Sequence, residues 1–314
     1  MGSRSSEEVT KTAYIFPGQG SQYAGMGKDL YEGSPIARDL FNRADEVLGF
    51  SLSRICFEGP EEQLRQTKNT QPAIFLHSLV VLSLLKKRTG IMAAGHSLGE
   101  YSALVYAGSM TFEDGLKMVR LRSELMQQAG IDQPGTMAAI VGLAPESVEE
   151  ICRNARAVGI VQTANFNSPG QIVISGSVTG VREAMELAKA GGAKLVKELV
   201  VSGAFHSPLM KSAREGLSKA LTTAPICDAA IPVYANVTGK PVQKAEEIRT
   251  LLEQQLTSPV RWEETVQNMV HDGAANFIEI GPGKVLQGLI KRINNTVGVS
   301  GVDKTTDIER MTGA

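Results

Sequence analysis

One hexapeptide constrains this chain more than any other stretch: Gly95-His96-Ser97-Leu98-Gly99-Glu100. The short apolar run Ile91-Met92-Ala93-Ala94 leads into it, and the helix-compatible run Tyr101-Ser102-Ala103-Leu104-Val105-Tyr106 leads out. Strand, G-x-S-x-G, helix is the pattern of a nucleophile elbow, a tight turn that lifts a serine hydroxyl clear of its surroundings. Glycine at 95 and 99 removes the Cβ atoms that would collide where strand and helix cross, and it tolerates unusual backbone angles. The helix that follows points free N–H groups and partial positive charge at the turn, where an oxyanion would form. Ser97 and Glu100 also spell S-x-x-E, a capping box, so the hexapeptide alone fits an ordinary glycine-rich helix start equally well.

The rest of the chain has to decide. Its 314 residues, 42% hydrophobic, suffice for one large domain or one with an inserted subdomain. A net charge of −1 supplies no overall field for nucleic acid or a membrane surface. Cys56, Cys152 and Cys227 form no C-x-x-C and no even disulfide framework, which fits small core residues in a reducing compartment. No apolar run is long enough to span a bilayer. The N-terminus lacks an apolar signal core, and Met1-Gly2-Ser3 reads as a cloning remnant.

Lys11 to Phe16 reads as a first strand, ending in Pro17-Gly18-Gln19-Gly20-Ser21-Gln22. A dinucleotide loop would need glycine where Tyr23 stands. Helices are expected over Ile36–Leu48, from Pro60, over Ala73–Lys87 opened by Pro72, and over Phe112–Gln128 capped by Thr111. In the last of these Glu113, Lys117, Arg120 and Glu124 form a solvated face. Arg122 lies about 200° around from Arg120, between Met118 and Leu125. An arginine among apolar neighbours needs an anion, and spacing alone suggests a buried salt bridge within the protein. Thr136–Gly142, Pro145–Arg156, Ile160–Phe166, Gln171–Ser175, Val178–Ala190 and Ala193–Val200 then read strand, helix, strand, strand, helix, strand, the ferredoxin-like order. Beyond them, Ile231–Asn236 and Asn276–Ile280 are expected strands, the latter the last clear one, and Ala245–Leu256 and Lys284–Ile293 are expected helices. Gly281-Pro282-Gly283-Lys284 lacks the P-loop pattern, because Val285 follows the lysine.

A serine hydroxyl needs a base. His77 falls inside an apolar helix, His96 adjoins the serine at a turn where neighbouring side chains diverge, and His271 decorates a helix end. His206 sits in the loop Val201-Ser202-Gly203-Ala204-Phe205-His206-Ser207-Pro208, where Ser207 and Pro208 start a helix. Such loops concentrate catalytic groups, which makes His206 the best candidate base.

Seven stretches, taken in order, now become specific. They are Phe16-Pro17-Gly18-Gln19-Gly20-Ser21-Gln22, Gln71-Pro72-Ala73, the elbow hexapeptide, Arg122 with Met126-Gln127, Asn165-Phe166-Asn167-Ser168-Pro169-Gly170-Gln171, Gly203-Ala204-Phe205-His206-Ser207, and Gly281-Pro282-Gly283-Lys284. Together they resemble the malonyl-CoA:acyl carrier protein transacylases of the bacterial stand-alone type and, more distantly, polyketide-synthase acyltransferase domains. The likeness runs from about Thr12 to Ile293. It implies Ser97 as the nucleophile that carries malonate as an ester, and His206 as general base and then acid. It implies the Gln255 main-chain carbonyl as the group orienting the imidazole. The main-chain N–H groups of Gln19 and Leu98 become the oxyanion hole, and Arg122 the partner of the substrate carboxylate, in place of the internal salt bridge. Phe205 becomes a specificity residue against an α-methyl group, and Asn165 a supporting contact.

The resemblance further implies malonyl-CoA and acyl carrier protein as partners, no resident cofactor or metal, and a monomer in the bacterial cytoplasm or, after loss of a transit peptide, an organelle lumen. Lys284, Lys291 and Arg292 are candidates for a basic landing patch for an acidic carrier. The expected architecture is α/β. Residues 10–133 and 203–314 build a hydrolase-like core with a mainly parallel sheet, and residues 134–202 form an inserted ferredoxin-like subdomain. A serine esterase or thioesterase of the α/β-hydrolase class shares the elbow but places its acid and then its histidine late. Here about 100 residues follow His206. A carrier-binding module without catalysis would not need Ser97, His206 and Arg122.

Overall fold

The computed structural model describes residues 11–312; Met1-Gly2-Ser3 lies outside them. β1 (Lys11–Phe16) precedes α1 (Lys28–Gly33), α2 (Pro35–Leu48), α3 (Leu52–Glu58), α4 (Glu61–Arg65) and α5 (Thr67–Leu84). β2 (Gly90–Gly95) enters the elbow, and α6 (Gly99–Tyr106) and α7 (Phe112–Asp132) follow it. Next come β3 (Gly135–Val141), α8 (Pro145–Ala155), β4 (Val161–Ser168), β5 (Gln171–Ser177), α9 (Val178–Ala190) and β6 (Leu195–Glu198). The chain continues through α10 (Lys211–Thr223), β7 (Val233–Tyr234), β8 (Pro241–Val242), α11 (Ala245–Gln255) and α12 (Trp262–His271). It ends with β9 (Ala274–Ile280), α13 (Val285–Ile293), β10 (Gly298–Val302) and α14 (Thr305–Thr312). None of the described helices is long and apolar enough to cross a membrane.

The fold is α/β. Six strands form the larger sheet in the order β10-β9-β1-β2-β7-β8, parallel throughout except where β8 pairs with β7. A parallel sheet needs both faces covered, and the alternation along β1 shows how. Tyr14 and Phe16 face a core that includes Phe75 of α5 and Leu252 of α11. Ala13 and Ile15 face a second core with Trp262, Phe277 and Ile290. α5 is apolar all round, as suits a helix buried on every side: Thr70 through Leu82 are all buried.

β3, β5, β4 and β6 form a separate antiparallel sheet in the order β4-β5-β3-β6. Period-two alternation splits its residues between two environments. Ala138, Ile140, Ile172 and Ile174 pack with α8 and α9 in a core of their own. Met137 and Val173 point the other way, into the core shared with the larger sheet and toward the elbow.

Several local expectations are corrected. Pro72 does not open α5 but lies inside it, and the helix starts at Thr67. The carbonyl that a proline at 72 leaves without its helical donor is that of Lys68. It accepts instead from Arg120 Nη1 at 2.8 Å and Ser123 Oγ at 3.2 Å. Arg120 also lies over the Phe50 ring, so it is not part of a freely solvated face. Asn276–Ile280 is not the last strand, because β10 follows; its sequence, Gly-Val-Ser-Gly-Val at the sheet edge, carries no apolar run to announce it. Of Ile231–Asn236 only Val233–Tyr234 pairs as strand, and Asn236 turns out to serve the elbow. Among the cysteines, Cys56 and Cys152 are buried as expected but Cys227 is exposed.

The elbow is where β2 meets α6. A Cβ on Gly95 would overlap the Gly99 carbonyl, and one on Gly99 would overlap the Phe16 carbonyl oxygen of β1. These obstacles are main chain and cannot rotate away. Gly95→Ala should therefore cost about 3 kcal/mol or more in urea unfolding, the upper end of overpacking penalties. A loss below about 0.5 kcal/mol would show that the crossing has slack.

Candidate active site

The elbow holds Ser97 at φ 53°. With His206 at φ 57°, it is one of two non-glycine residues in the left-handed region among the described residues. Such conformations cost free energy and persist only where the surroundings enforce them. Neither Gly95 nor Gly99 is among the positive-φ glycines. The glycines supply space, and the unusual angle falls on the serine. Asn236 enforces it: its Oδ1 accepts from Ser97 N at 2.6 Å while its Nδ2 donates to Gly95 O at 2.7 Å. The capping-box alternative is not formed, since α6 starts without a side-chain cap.

The Ser97 hydroxyl has two partners. His206 Nε2 lies 2.9 Å from Oγ, and Arg122 Nη2 donates to Oγ at 3.0 Å. On the far side of the imidazole, Nδ1 lies 2.9 Å from the Gln255 carbonyl oxygen. A carbonyl can only accept, so Nδ1 carries the hydrogen and Nε2 is left to accept from the serine. Burial first, then the Arg122 charge, push the His206 imidazolium down to about 3. The side chain is therefore a neutral base at any ordinary pH.

Arg122 is fully buried, and among the described residues no carboxylate forms an ion pair with it. The internal salt bridge that spacing suggested is absent. Amides take its place: Nη1 donates to Gln71 Oε1 at 2.5 Å and Nη2 to Gln255 Oε1 at 2.8 Å. Its Nε has no partner, and the Tyr101 ring lies beneath it. A buried cation with spare donors beside a nucleophile suits a substrate that brings its own anion.

A cleft of about 220 Å³ opens over these groups. Gln19, Ser97, Leu98, Asn165, Phe205 and His206 all line it, with Met137 and Val173 of the antiparallel sheet opposite. The main-chain N–H groups of Gln19 and Leu98 donate to no group among the described residues. α13 closes one side through Val285, Leu286 and Leu289, and its N-terminus is already occupied. Glu279 accepts from the Leu286 and Gln287 N–H groups at 3.1 and 3.2 Å, so that end is no anion site. Lys284, Lys291 and Arg292 are exposed on and before α13, with Arg292 donating to Gln171 at the cleft.

The structure thus gathers Gln19, Ser97, Leu98, Arg122, Phe205, His206 and the Gln255 carbonyl at one place. The other histidines are elsewhere engaged. His77 Nε2 is 3.2 Å from Asp303 Oδ1, His96 Nε2 is 2.9 Å from Asn167 Oδ1, and His271 ends α12. Sequence reasoning missed roles for Gln71, Glu100, Asn236 and the Gln255 side chain. Gln71 and Glu100 stood inside quoted motifs, whereas Asn236 carried no local signal.

Residues 13–311 match the acyl transferase domain family. The chain is 47% identical over 304 residues to malonyl CoA-acyl carrier protein transacylase of Bacillus subtilis strain 168, covering 96% of each. Its fold matches the malonyl CoA-acyl carrier protein transacylase of Coxiella burnetii with a TM-score of 0.93 at 39% identity, covering 96% of each. It also matches a malonyl-transacylase solved in complex with a type II PKS acyl-carrier protein, with a TM-score of 0.93 at 41% identity over 97% of this chain and all of that one.

The low basicity of His206 has two measurable consequences. NMR of its imidazole C–H signals should show no titration from about pH 8 down to about pH 5, and a midpoint near the ordinary 6.5 would contradict the buried, Arg122-facing setting. By linkage, the unfolded chain binds a proton below 6.5 that the folded chain refuses until about 3, so this residue lowers stability as pH falls through that window.

Proposed function

The chain belongs to the acyl transferase family, and we propose that it transfers the malonyl group of malonyl-CoA to the pantetheine thiol of acyl carrier protein through an ester on Ser97. One observation carries this reading: a single hydroxyl touches both a neutral imidazole and a buried guanidinium that has no carboxylate partner.

His206 Nε2 takes the Ser97 proton as Oγ attacks the thioester carbonyl. The Gln19 and Leu98 N–H groups receive the oxyanion, and α6 adds the positive end of its dipole. On collapse the carbon–sulfur bond breaks, and His206 returns the proton to the CoA sulfur. The second half runs in reverse, with the carrier's thiol giving its proton to His206 and attacking the ester. The balance closes with the two thiols, Ser97 and His206. The Gln255 carbonyl stabilises the imidazolium formed midway, and Phe205 narrows the cleft beside the reacting carbon. Apolar walls, Met126, Met137, Val173, Leu199 and Val201, keep water from the ester.

Arg122 accounts for selectivity. A malonyl carboxylate can take two of its N–H groups, whereas an acetyl group leaves the charge unpaired. The carboxylate also offsets the Arg122 charge that holds the imidazole's basicity down, so the right substrate strengthens the base. This setting is not what an esterase for neutral acyl groups requires. Carrier binding is supported by the likeness to the transacylase solved with its carrier protein.

We read residues 134–202 as a ferredoxin-like subdomain inserted in a hydrolase-like core of residues 10–133 and 203–314. The strand order β4-β5-β3-β6 and the parallel sheet that carries the elbow support that reading.

Intact-protein mass spectrometry after mixing with malonyl-CoA should show one malonyl adduct. Ser97→Ala should show none. Arg122→Ala should lose at least about 100-fold in preference for malonyl- over acetyl-CoA. An adduct on the Ser97 variant, or unchanged preference in the Arg122 variant, would overturn the assignment.

A further inference from the structure

Glu100 is a buried carboxylate that the reaction above does not use. Its Oε2 accepts from Gln255 Nε2 at 2.8 Å and from Asn236 N at 3.0 Å. Both donors belong to residues that hold the reacting groups. The Asn236 side chain holds the elbow at the Ser97 N–H and the Gly95 carbonyl. Gln255 does more: its side-chain oxygen accepts from Arg122, its Nε2 also donates to Ser97 O at 3.0 Å, and its main-chain oxygen orients His206.

The orientation of the Gln255 amide follows from its neighbours. A guanidinium only donates and an ionised carboxylate only accepts, so oxygen must face Arg122 and nitrogen must face Glu100. Glu100 is thereby placed one amide away from Arg122, near enough to act on its charge and barred from touching it.

We propose that Glu100 is a positioning residue: it locks Gln255 and Asn236 so that nucleophile, base and guanidinium move as one unit, and it serves as a remote counter-charge to Arg122 that a substrate carboxylate displaces. The proposal rests on the reading that Arg122 receives the malonyl carboxylate. A counter-charge in direct contact would have to be broken away before substrate could bind. One held behind an amide leaves Arg122 with no carboxylate in direct contact and its Nε without a partner.

When a second carboxylate reaches Arg122, the guanidinium's support for the ionised Glu100 weakens, and Glu100 takes up a proton. Burial has already raised it to about 7, against the Asn236 and Gln255 hydrogen bonds and the Arg122 charge. Arg122 from α7 is the charged group that acts on it, and Tyr101 stands beside it on α6. His206 reaches the same network through Ser97. The remaining titratable groups on neighbouring elements are turned elsewhere: His77 of α5 to Asp303, Tyr234 of β7 to Asp272, and Tyr14 of β1 to Thr89.

The test is the concentration of malonyl-CoA that half-saturates Ser97 acylation, measured on the intact enzyme at about pH 6 and about pH 8. A group titrating at about 7 in the free enzyme and raised further by substrate predicts that this concentration rises from about pH 6 to about pH 8. Acetyl-CoA, which brings no carboxylate, should show no such rise. Glu100→Gln keeps an acceptor for both donors and loses the charge, so its malonyl-CoA value should be flat with pH and no higher than the wild-type value at about pH 6. Glu100→Ala, which also frees the Gln255 and Asn236 donors, should lower kcat at both pH values. Equal pH responses for the two thioesters in the wild type, an unchanged response in Glu100→Gln, or a fully active Glu100→Ala would each overturn the role of Glu100. Failure of malonyl-CoA to acylate Ser97 at all would instead overturn the reaction on which the proposal rests.

Discussion

A guanidinium buried with amides for company is the interaction on which the site depends. Arg122 is fully enclosed, yet its hydrogen-bond partners are two glutamine oxygens and the serine hydroxyl. Desolvating a cation in this way is costly, and a direct carboxylate would be the ordinary remedy. The fold withholds that remedy and supplies dipoles instead, which leaves the charge available to whatever enters the cleft. Burial keeps the neighbouring imidazole neutral, and the same charge adds to that effect.

Holding such a site requires rigidity, and three devices provide it. Two glycines let strand and helix approach until main chain touches main chain. The Asn236 amide fixes Ser97 in a backbone conformation it would not choose alone. Gln255, at the end of α11, ties the base through its main chain and the guanidinium through its side chain. These residues come from widely separated stretches, so the parallel sheet and its flanking helices must be complete before the chemistry exists. The antiparallel sheet adds the opposite wall through the face it does not need for its own core.

Much of this was legible in the sequence because the signals were local. The elbow, the Ser207-Pro208 helix start after His206 and the six-element run from β3 to β6 each announce themselves within a few residues. What stayed hidden was long-range. The Lys68 carbonyl freed by Pro72 is satisfied by Arg120 and Ser123 from another helix, so α5 begins a turn and a half earlier than proline chemistry suggests. β10 is held by its neighbour β9 and not by its own apolar content. Glu100 looked like half of a capping box because its true partners lie more than a hundred residues away. Arg122 was the instructive case: periodicity placed it among apolar neighbours and suggested an internal salt bridge, but could not show that glutamine oxygens, from α5 and α11, would take the carboxylate's place.

The most direct test offers the wild-type enzyme malonyl-CoA and acetoacetyl-CoA together at equal concentration and follows Ser97 by time-resolved intact mass. The two acyl groups match in length and differ in whether a carboxylate or a neutral methyl ketone meets Arg122. The early adduct should be malonyl, in excess by about 100-fold or more. Comparable amounts of the two adducts would contradict it.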